Sequence, residues 1–286
     1  VSFVQTEIGS QPDCWARAAG LGREVVRPGA NVAVVGCGTS WFVAMAYAAL
    51  REAAGHGRTD AFAASEALLT RDYDHVVAIT RSGTTTEVVD LLRSATAPTT
   101  VITGVADAPA AELAGSTILL DFADEQSVVQ TRFATTALAL LRASLGEVLD
   151  RAVADARAML AVDELPVGEQ FTFLGRGWTV GLAHEAALKL REAAGAWAES
   201  YPAMEYRHGP ISIAQPGRVT WMLGPTPDGL AEQVRQTGAT FVQSGPLDPM
   251  AHLVLAQRVA VDTALRAGLD PDRPRNLTRS VILADA

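Results

Sequence analysis

One stretch constrains both the fold and the chemistry of this chain. An apolar run, His75-Val76-Val77-Ala78-Ile79, is followed by Thr80-Arg81-Ser82-Gly83-Thr84-Thr85-Thr86-Glu87 and then by Val88-Val89-Asp90-Leu91-Leu92. The first part predicts a buried strand, the last the opening turns of a helix. The loop between them carries five Ser/Thr hydroxyls and a glycine. The first N–H groups of a helix have no intrahelical partner, and the helix dipole adds partial positive charge there. Hydroxyls donate to phosphate oxygens, and Gly83 lets the backbone come close. The segment therefore predicts an anion site suited to a phosphate monoester. A plainly capped helix start is the bland alternative, since Ser and Thr cap helices widely.

Similar patterns recur. Asn31–Gly36 reads as a buried strand, Cys37-Gly38-Thr39-Ser40 as a turn and Trp41–Ala54 as a helix. Asp60–Glu66, Thr99–Val105 and Ser116–Phe122 complete a five-stranded set with His75–Thr80, and Ser127–Leu145 reads as a long apolar helix. The second half repeats the theme, with strands at Gln170–Leu174, Ala196–Tyr201, Val219–Leu223 and Ala239–Ser244. Its helices are Val180–Ala194, Leu230–Thr237 and Ala251–Gly268. Continuous apolar strands alternating with helices predict parallel sheets covered on both faces. The polar stretch Ala161–Glu169 divides the chain into units 1–160 and 161–286. In doubly wound sheets ligands sit beyond the C-terminal strand ends. The loops Cys37–Ser40 and Thr80–Thr86 can share one ligand if their strands are neighbours.

Composition narrows the partners. At 286 residues, 49% hydrophobic and 19% charged, the chain can bury a sizeable core. A net charge of −9 argues against nucleic acid or an anionic membrane as partner. No apolar run reaches the length of a membrane span and no signal peptide is visible. Cys14 and Cys37 make no disulfide framework, which suits a reducing cytoplasm. Lys189 is the single lysine among 23 basic residues, so only its side chain could form an imine with a carbonyl substrate.

Individual residues remain open to two readings. Glu185, Lys189 and Glu192 share one helix face, as an ion-pair ladder or as a site where a carboxylate takes and returns a proton. His208 precedes Gly-Pro, which exposes its ring, and an imidazole titrates near neutrality. Cys37 has no supporting base beside it in sequence and reads as a small filler at a strand end. No cluster has metal-ligand spacing and no dinucleotide glycine fingerprint is present, so neither metal nor cofactor is expected.

Together the motifs resemble the SIS (sugar isomerase) family, most closely the isomerase half of glucosamine-6-phosphate synthase. They are V-G-C-G-T-S (35–40), A-S-E (64–66), R-S-G-T-T-T-E (81–87) and V-V-Q-T-R-F-A-T-T-A-L (128–138). They continue with L-G-R-G (174–177), E-A-A-L-K-L-R-E (185–192), A-E-S-Y (198–201), R-H-G-P (207–210) and D-R-P-R-N-L-T-R-S-V (272–281). The resemblance implies two SIS-type α/β domains, each a flavodoxin-like, doubly wound parallel sheet flanked by helices. It covers an isomerase half without the glutaminase domain, hence not a glutamine amidotransferase.

What the resemblance implies for residues is specific. Ser40, Thr80, Arg81, Ser82 and Thr85 form the phosphate cradle. Cys37, Gly38, Thr39, Val128 and Gln130 are further substrate contacts. Glu192 is the base at sugar C2, Lys189 lies beside it, and His208 crosses from a partner subunit to help open the ring, which implies a homodimer with shared sites. Arg279 stands where the family has its imine-forming lysine, Arg81 where it has glutamine and Gln130 where it has serine. A guanidinium is not an amine nucleophile, so Arg279 is expected to contact substrate oxygens or stabilise enolate charge. The implied substrate is a hexosamine 6-phosphate. The implied reaction is aldose–ketose isomerisation or deamination, the alternative being loss of water across C2–C3 of an N-acetylated sugar. A non-catalytic sugar-phosphate sensor is the alternative of another class.

Overall fold

The computed structural model describes residues 2–22 and 24–283. In chain order the elements are α1 (Phe3–Gly9), α2 (Gln11–Ala19), β1 (Val32–Gly36), α3 (Thr39–Ala53), β2 (Thr59–Ala63), β3 (His75–Thr80), α4 (Thr86–Ser94), β4 (Thr99–Thr103), α5 (Pro109–Leu113) and β5 (Ser116–Leu119). Then come α6 (Arg132–Ser144), α7 (Asp150–Leu160), β6 (Gln170–Gly175), α8 (Thr179–Ala194), β7 (Ala198–Pro202), β8 (Arg218–Leu223), α9 (Leu230–Gln236), β9 (Thr240–Gln243) and α10 (Pro249–Arg266).

The strands form two sheets, ordered β2-β1-β3-β4-β5 and β7-β6-β8-β9. Every pairing is parallel. This is the expected doubly wound α/β architecture, with the second sheet repeating the first one strand short. Alternation along the strands sorts side chains into layers. Val32 and Val34 face a central apolar cluster, whereas Ala33 and Val35 face an outer one against α4 and α5. The central cluster also takes Phe171, Phe173 and Trp221 from the second sheet, so 161–169 joins two sheets that share one core.

α3 packs on α8, and α8 on α10. The α3–α8 approach depends on Gly181: a Cβ there would lie 2.4 Å from the Phe42 carbonyl oxygen. That closeness brings the start of α3 to the end of α8, where the site residues lie.

Some boundaries differ from expectation. The strands expected to run to Glu66 and Phe122 stop at Ala63 and Leu119, and short 3-10 turns at Ala64–Glu66 and Asp121–Ala123 follow. The helix expected from Ser127 starts at Arg132. Glu125 Oε1 accepts the N–H groups of Thr131 (2.6 Å) and Arg132 (2.7 Å), so the helix is capped from outside its own first turn. Helices α1 and α2, unassigned from sequence, pack on α10 and on α6 and α7 respectively.

Candidate functional site

β1 and β3 are direct neighbours, which puts the loops that follow them side by side where the strand order reverses. A cleft of about 750 Å³, mouth included, opens there. Three segments converge on it with these loops: the stretch after β5, the end of α8, and the C-terminal tail.

The first loop contributes Cys37, Gly38, Thr39 and Ser40. Burial, with the charge of Glu87 adding to it, pushes the Cys37 thiol up to about 11, so it is a neutral filler and not a nucleophile. Thr39 is buried, and its hydroxyl accepts the Lys189 ammonium at 2.9 Å.

The second loop brings Thr80, Arg81, Ser82 and Thr85 to the cleft. Gly83 has φ +66°, and a Cβ there would meet Ala108 Cβ at 2.4 Å, so the turn needs glycine on both counts. Its N–H donates to Thr80 Oγ1, and the Thr84 N–H to Ser82 Oγ, both at 3.2 Å. The hydroxyls point together as an anion cradle requires.

Arg81 departs from expectation. It is 5% exposed, and its guanidinium donates to the carbonyls of Ser127 (3.0 Å), Val128 (3.3 Å) and Arg279 (3.0 Å). It also pairs with the fully buried Glu125 at 3.6 Å. Its two terminal nitrogens thus brace the loop, the stretch after β5 and the tail, while its Nε is buried without a partner among the described residues.

The tail is the part that sequence reasoning did not resolve. Asp272 caps the start of α1, accepting from Phe3 N (2.8 Å) and Val4 N (2.7 Å), and its carbonyl accepts from Val128 N. Further on, Ser280 Oγ lies 2.9 Å from Thr84 Oγ1, 3.2 Å from Ser82 Oγ and 3.3 Å from Thr85 Oγ1. The Val281 carbonyl accepts from Thr86 N, the first N–H of α4, and Leu283 N donates to Thr86 Oγ1. Ser280 thus joins the hydroxyl cluster, and its place directly after Arg279 was the available signal. Arg279 lines the cleft and pairs with Asp124 at 2.5 Å. Val128 and Gln130 line the cleft too, and Gln130 Nε2 is buried without a partner among the described residues.

On α8, Lys189 is 1% exposed and donates to Glu192 Oε2 at 2.5 Å. Burial alone would lower its pKa, but Glu185 and Glu192 outweigh that and hold it above the ordinary lysine value. It is a fixed cation, not a free amine. Glu192, 20% exposed, lines the cleft from the second half of the chain. His208, itself exposed, ends the 3-10 turn Glu205–His208 and is not among the cleft residues of its own chain. Among the described residues no group of three His, Cys, Asp or Glu side chains is placed to hold a metal, and no helix is long and apolar enough to cross a membrane.

No family model matches the chain. A glutamine–fructose-6-phosphate aminotransferase (isomerizing) of Methanothermobacter thermautotrophicus is 26% identical over 98% of the chain and 57% of its own length. The corresponding Xylella fastidiosa protein is 34% identical over 38% of the chain and 22% of its own length. The chain thus spans only part of these relatives. The crystal structure of a glucosamine-6-phosphate deaminase from Thermotoga maritima superposes with a TM-score of 0.84 at 25% identity, covering 99% of this chain and 100% of that one. Likeness along nearly the whole chain shows the same fold, and it agrees with the resemblance to the SIS (sugar isomerase) family read from the motifs.

Proposed function

We propose that the chain is a hexosamine 6-phosphate enzyme that works by removing the proton at sugar C2, with isomerisation or deamination as the outcome. The observation that carries this reading is one cleft lined both by the hydroxyl-rich loop that opens α4 and by a partly exposed carboxylate, Glu192. The phosphate docks on Ser40, Ser82 and Thr85, with Thr80 supporting the turn. Glu192 takes the C2 proton, and Lys189 and Arg279 supply positive charge as the enolate forms. The Thermotoga maritima structure, described as a glucosamine-6-phosphate deaminase, is consistent with this substrate class.

A second reading keeps the same intermediate but expels the C3 hydroxyl. It is favoured by the state of the cations: Arg279 cannot form an imine, and Lys189 is buried and fully engaged. The decisive experiment offers a panel of hexose 6-phosphates in deuterated water and follows product mass. Unchanged backbone mass with deuterium at C1 or C2 marks isomerisation, loss of ammonia deamination, and loss of water elimination. Binding with no product marks a sensor and overturns both. Two free cysteines suit a reducing compartment such as the cytoplasm for this activity.

Two residue-level results are expected. Ser82→Ala should weaken binding of 6-phosphorylated sugars by about 1.5–3 kcal/mol, the range for a hydrogen bond to a charged group. Calorimetry should find unphosphorylated sugars little affected, and equal weakening of both would remove Ser82 from the phosphate site. His208, being outside its own cleft, is proposed to complete the cleft of a second copy. Mixed dimers of Glu192→Gln and His208→Ala chains should then regain part of the activity that each lacks alone. No recovery in verified mixed dimers would end that role.

A further inference from the structure

Glu185 lies one helical turn from Lys189 and two turns from Glu192, behind the cleft wall. It is 2% exposed, and neither carboxylate oxygen has a hydrogen-bond partner among the described residues. Its ionic neighbour is Lys189 Nζ at 3.5 Å. A buried carboxylate whose ion pair is long and whose oxygens lack close hydrogen bonds stabilises the fold little, because desolvation offsets the attraction. The same ammonium sits 2.5 Å from Glu192 and 2.9 Å from the Thr39 hydroxyl. One buried cation is therefore held closely by the carboxylate in the cleft and loosely by the one behind it.

We propose that Glu185 is a positioning residue that sets the strength of Glu192 as a base through their shared Lys189. This rests on the proton-abstraction reading above and deepens it. With Glu185 neutral, the ammonium belongs to Glu192, fixes its orientation and weakens it as a base. When Glu185 ionises, the ammonium is shared and a second negative charge faces Glu192, which then holds a proton more tightly. The coupling is reciprocal: whatever Glu192 does to the titration of Glu185, Glu185 does to that of Glu192. Burial, with Lys189 opposing and Glu192 adding, pushes Glu185 up to about 8, so the change falls within an accessible pH range.

The groups facing this trio come from several elements. Arg191 on α8 feels both glutamates, α3 contributes Thr39, and Glu125 after β5 acts on Lys189. Glu125 is held by Thr131, Arg132 and Arg81, and burial raises it with Arg81 pulling it back.

The test follows deuterium exchange at C1 and C2 of fructose 6-phosphate and N-acetylglucosamine 6-phosphate, which carry no amine to titrate. Through about pH 8 the wild-type rate should rise roughly threefold, because a general base that gains a negative neighbour takes a proton more readily. Glu185→Gln should stay flat at the lower level with KM unchanged, and Glu185→Asp should keep the rise. A rise retained in Glu185→Gln, or a loss confined to KM, overturns the proposal. If Glu185→Gln does not fold, carbon NMR of the wild-type carboxyls decides. The Glu192 signal should show an inflection at the pH where Glu185 titrates, and its absence overturns the proposal. Absence of wild-type exchange at every pH, or exchange undiminished in Glu192→Gln, defeats instead the reading on which this one rests.

Discussion

Glu192→Gln is expected to lower exchange of the sugar C1 and C2 hydrogens with solvent by about 10²–10⁴-fold, the usual contribution of a positioned base. The effect should be large because Glu192 is the one carboxylate among the residues lining the cleft. Glu185 is buried behind Lys189, and Glu125 is buried with its Oε1 held by Thr131 and Arg132. An amide cannot accept the proton, yet it keeps the shape of the side chain and can still accept from the Lys189 ammonium. Binding of 6-phosphorylated sugars should therefore change little, because the hydroxyl cradle is built from other segments. NMR of a substrate incubated in deuterated water reads the exchange, and calorimetry reads the binding. Binding lost along with exchange would mean that Glu192 holds the sugar and does not act on it. Borohydride added with substrate should trap no adduct on the wild-type protein, because the single lysine is sequestered.

Much of this site could be read from the sequence, because its parts are local. The strand His75–Thr80 and the loop after it announce themselves by an apolar run, a glycine and clustered hydroxyls, and β3 has the expected bounds. The neighbouring of β1 and β3 followed from the doubly wound pattern. Glu185, Lys189 and Glu192 share a helix face by spacing alone. What the sequence hid was long-range pairing. Nothing near Thr39 indicates that its hydroxyl meets a lysine 150 residues away. Nothing near Glu125 indicates that it caps α6 and delays its start to Arg132. Ser280 looked like one more tail residue until the fold brought it to the Thr84 hydroxyl. Arg81 was misleading for the same reason: a cation within an anion loop looks like a ligand, and only tertiary structure shows both terminal nitrogens donating to backbone carbonyls.

Those contacts make Arg81→Ala the largest expected change in stability, a loss of about 3–5 kcal/mol, typical when one partner of a buried ion pair is removed. The variant would leave Glu125 buried without its cation, and three carbonyls without these donors. Burial already raises the Glu125 pKa, with Arg81 pulling it back, so removing Arg81 raises it further. A carboxyl whose folded pKa is raised favours the folded state at low pH, and that support is lost as pH rises through the folded pKa. The deficit of Arg81→Ala should accordingly narrow in acid, where Glu125 is neutral in folded and unfolded chains alike, and widen towards neutral pH. Denaturant titrations at several pH values measure this. Adding Glu125→Gln should recover part of the loss, since the orphaned charge goes with it, and the cycle of single and double variants gives the coupling directly. The tail supplies an independent reading. With the contact to the Arg279 carbonyl gone, trypsin should cut after Arg275 and Arg279 faster than in the wild type, and 6-phosphate binding should weaken because Ser280 no longer sits beside Ser82 and Thr84. If Arg81→Ala instead kept full stability and an intact tail while losing phosphate affinity alone, the guanidinium would have to be returned to the phosphate site.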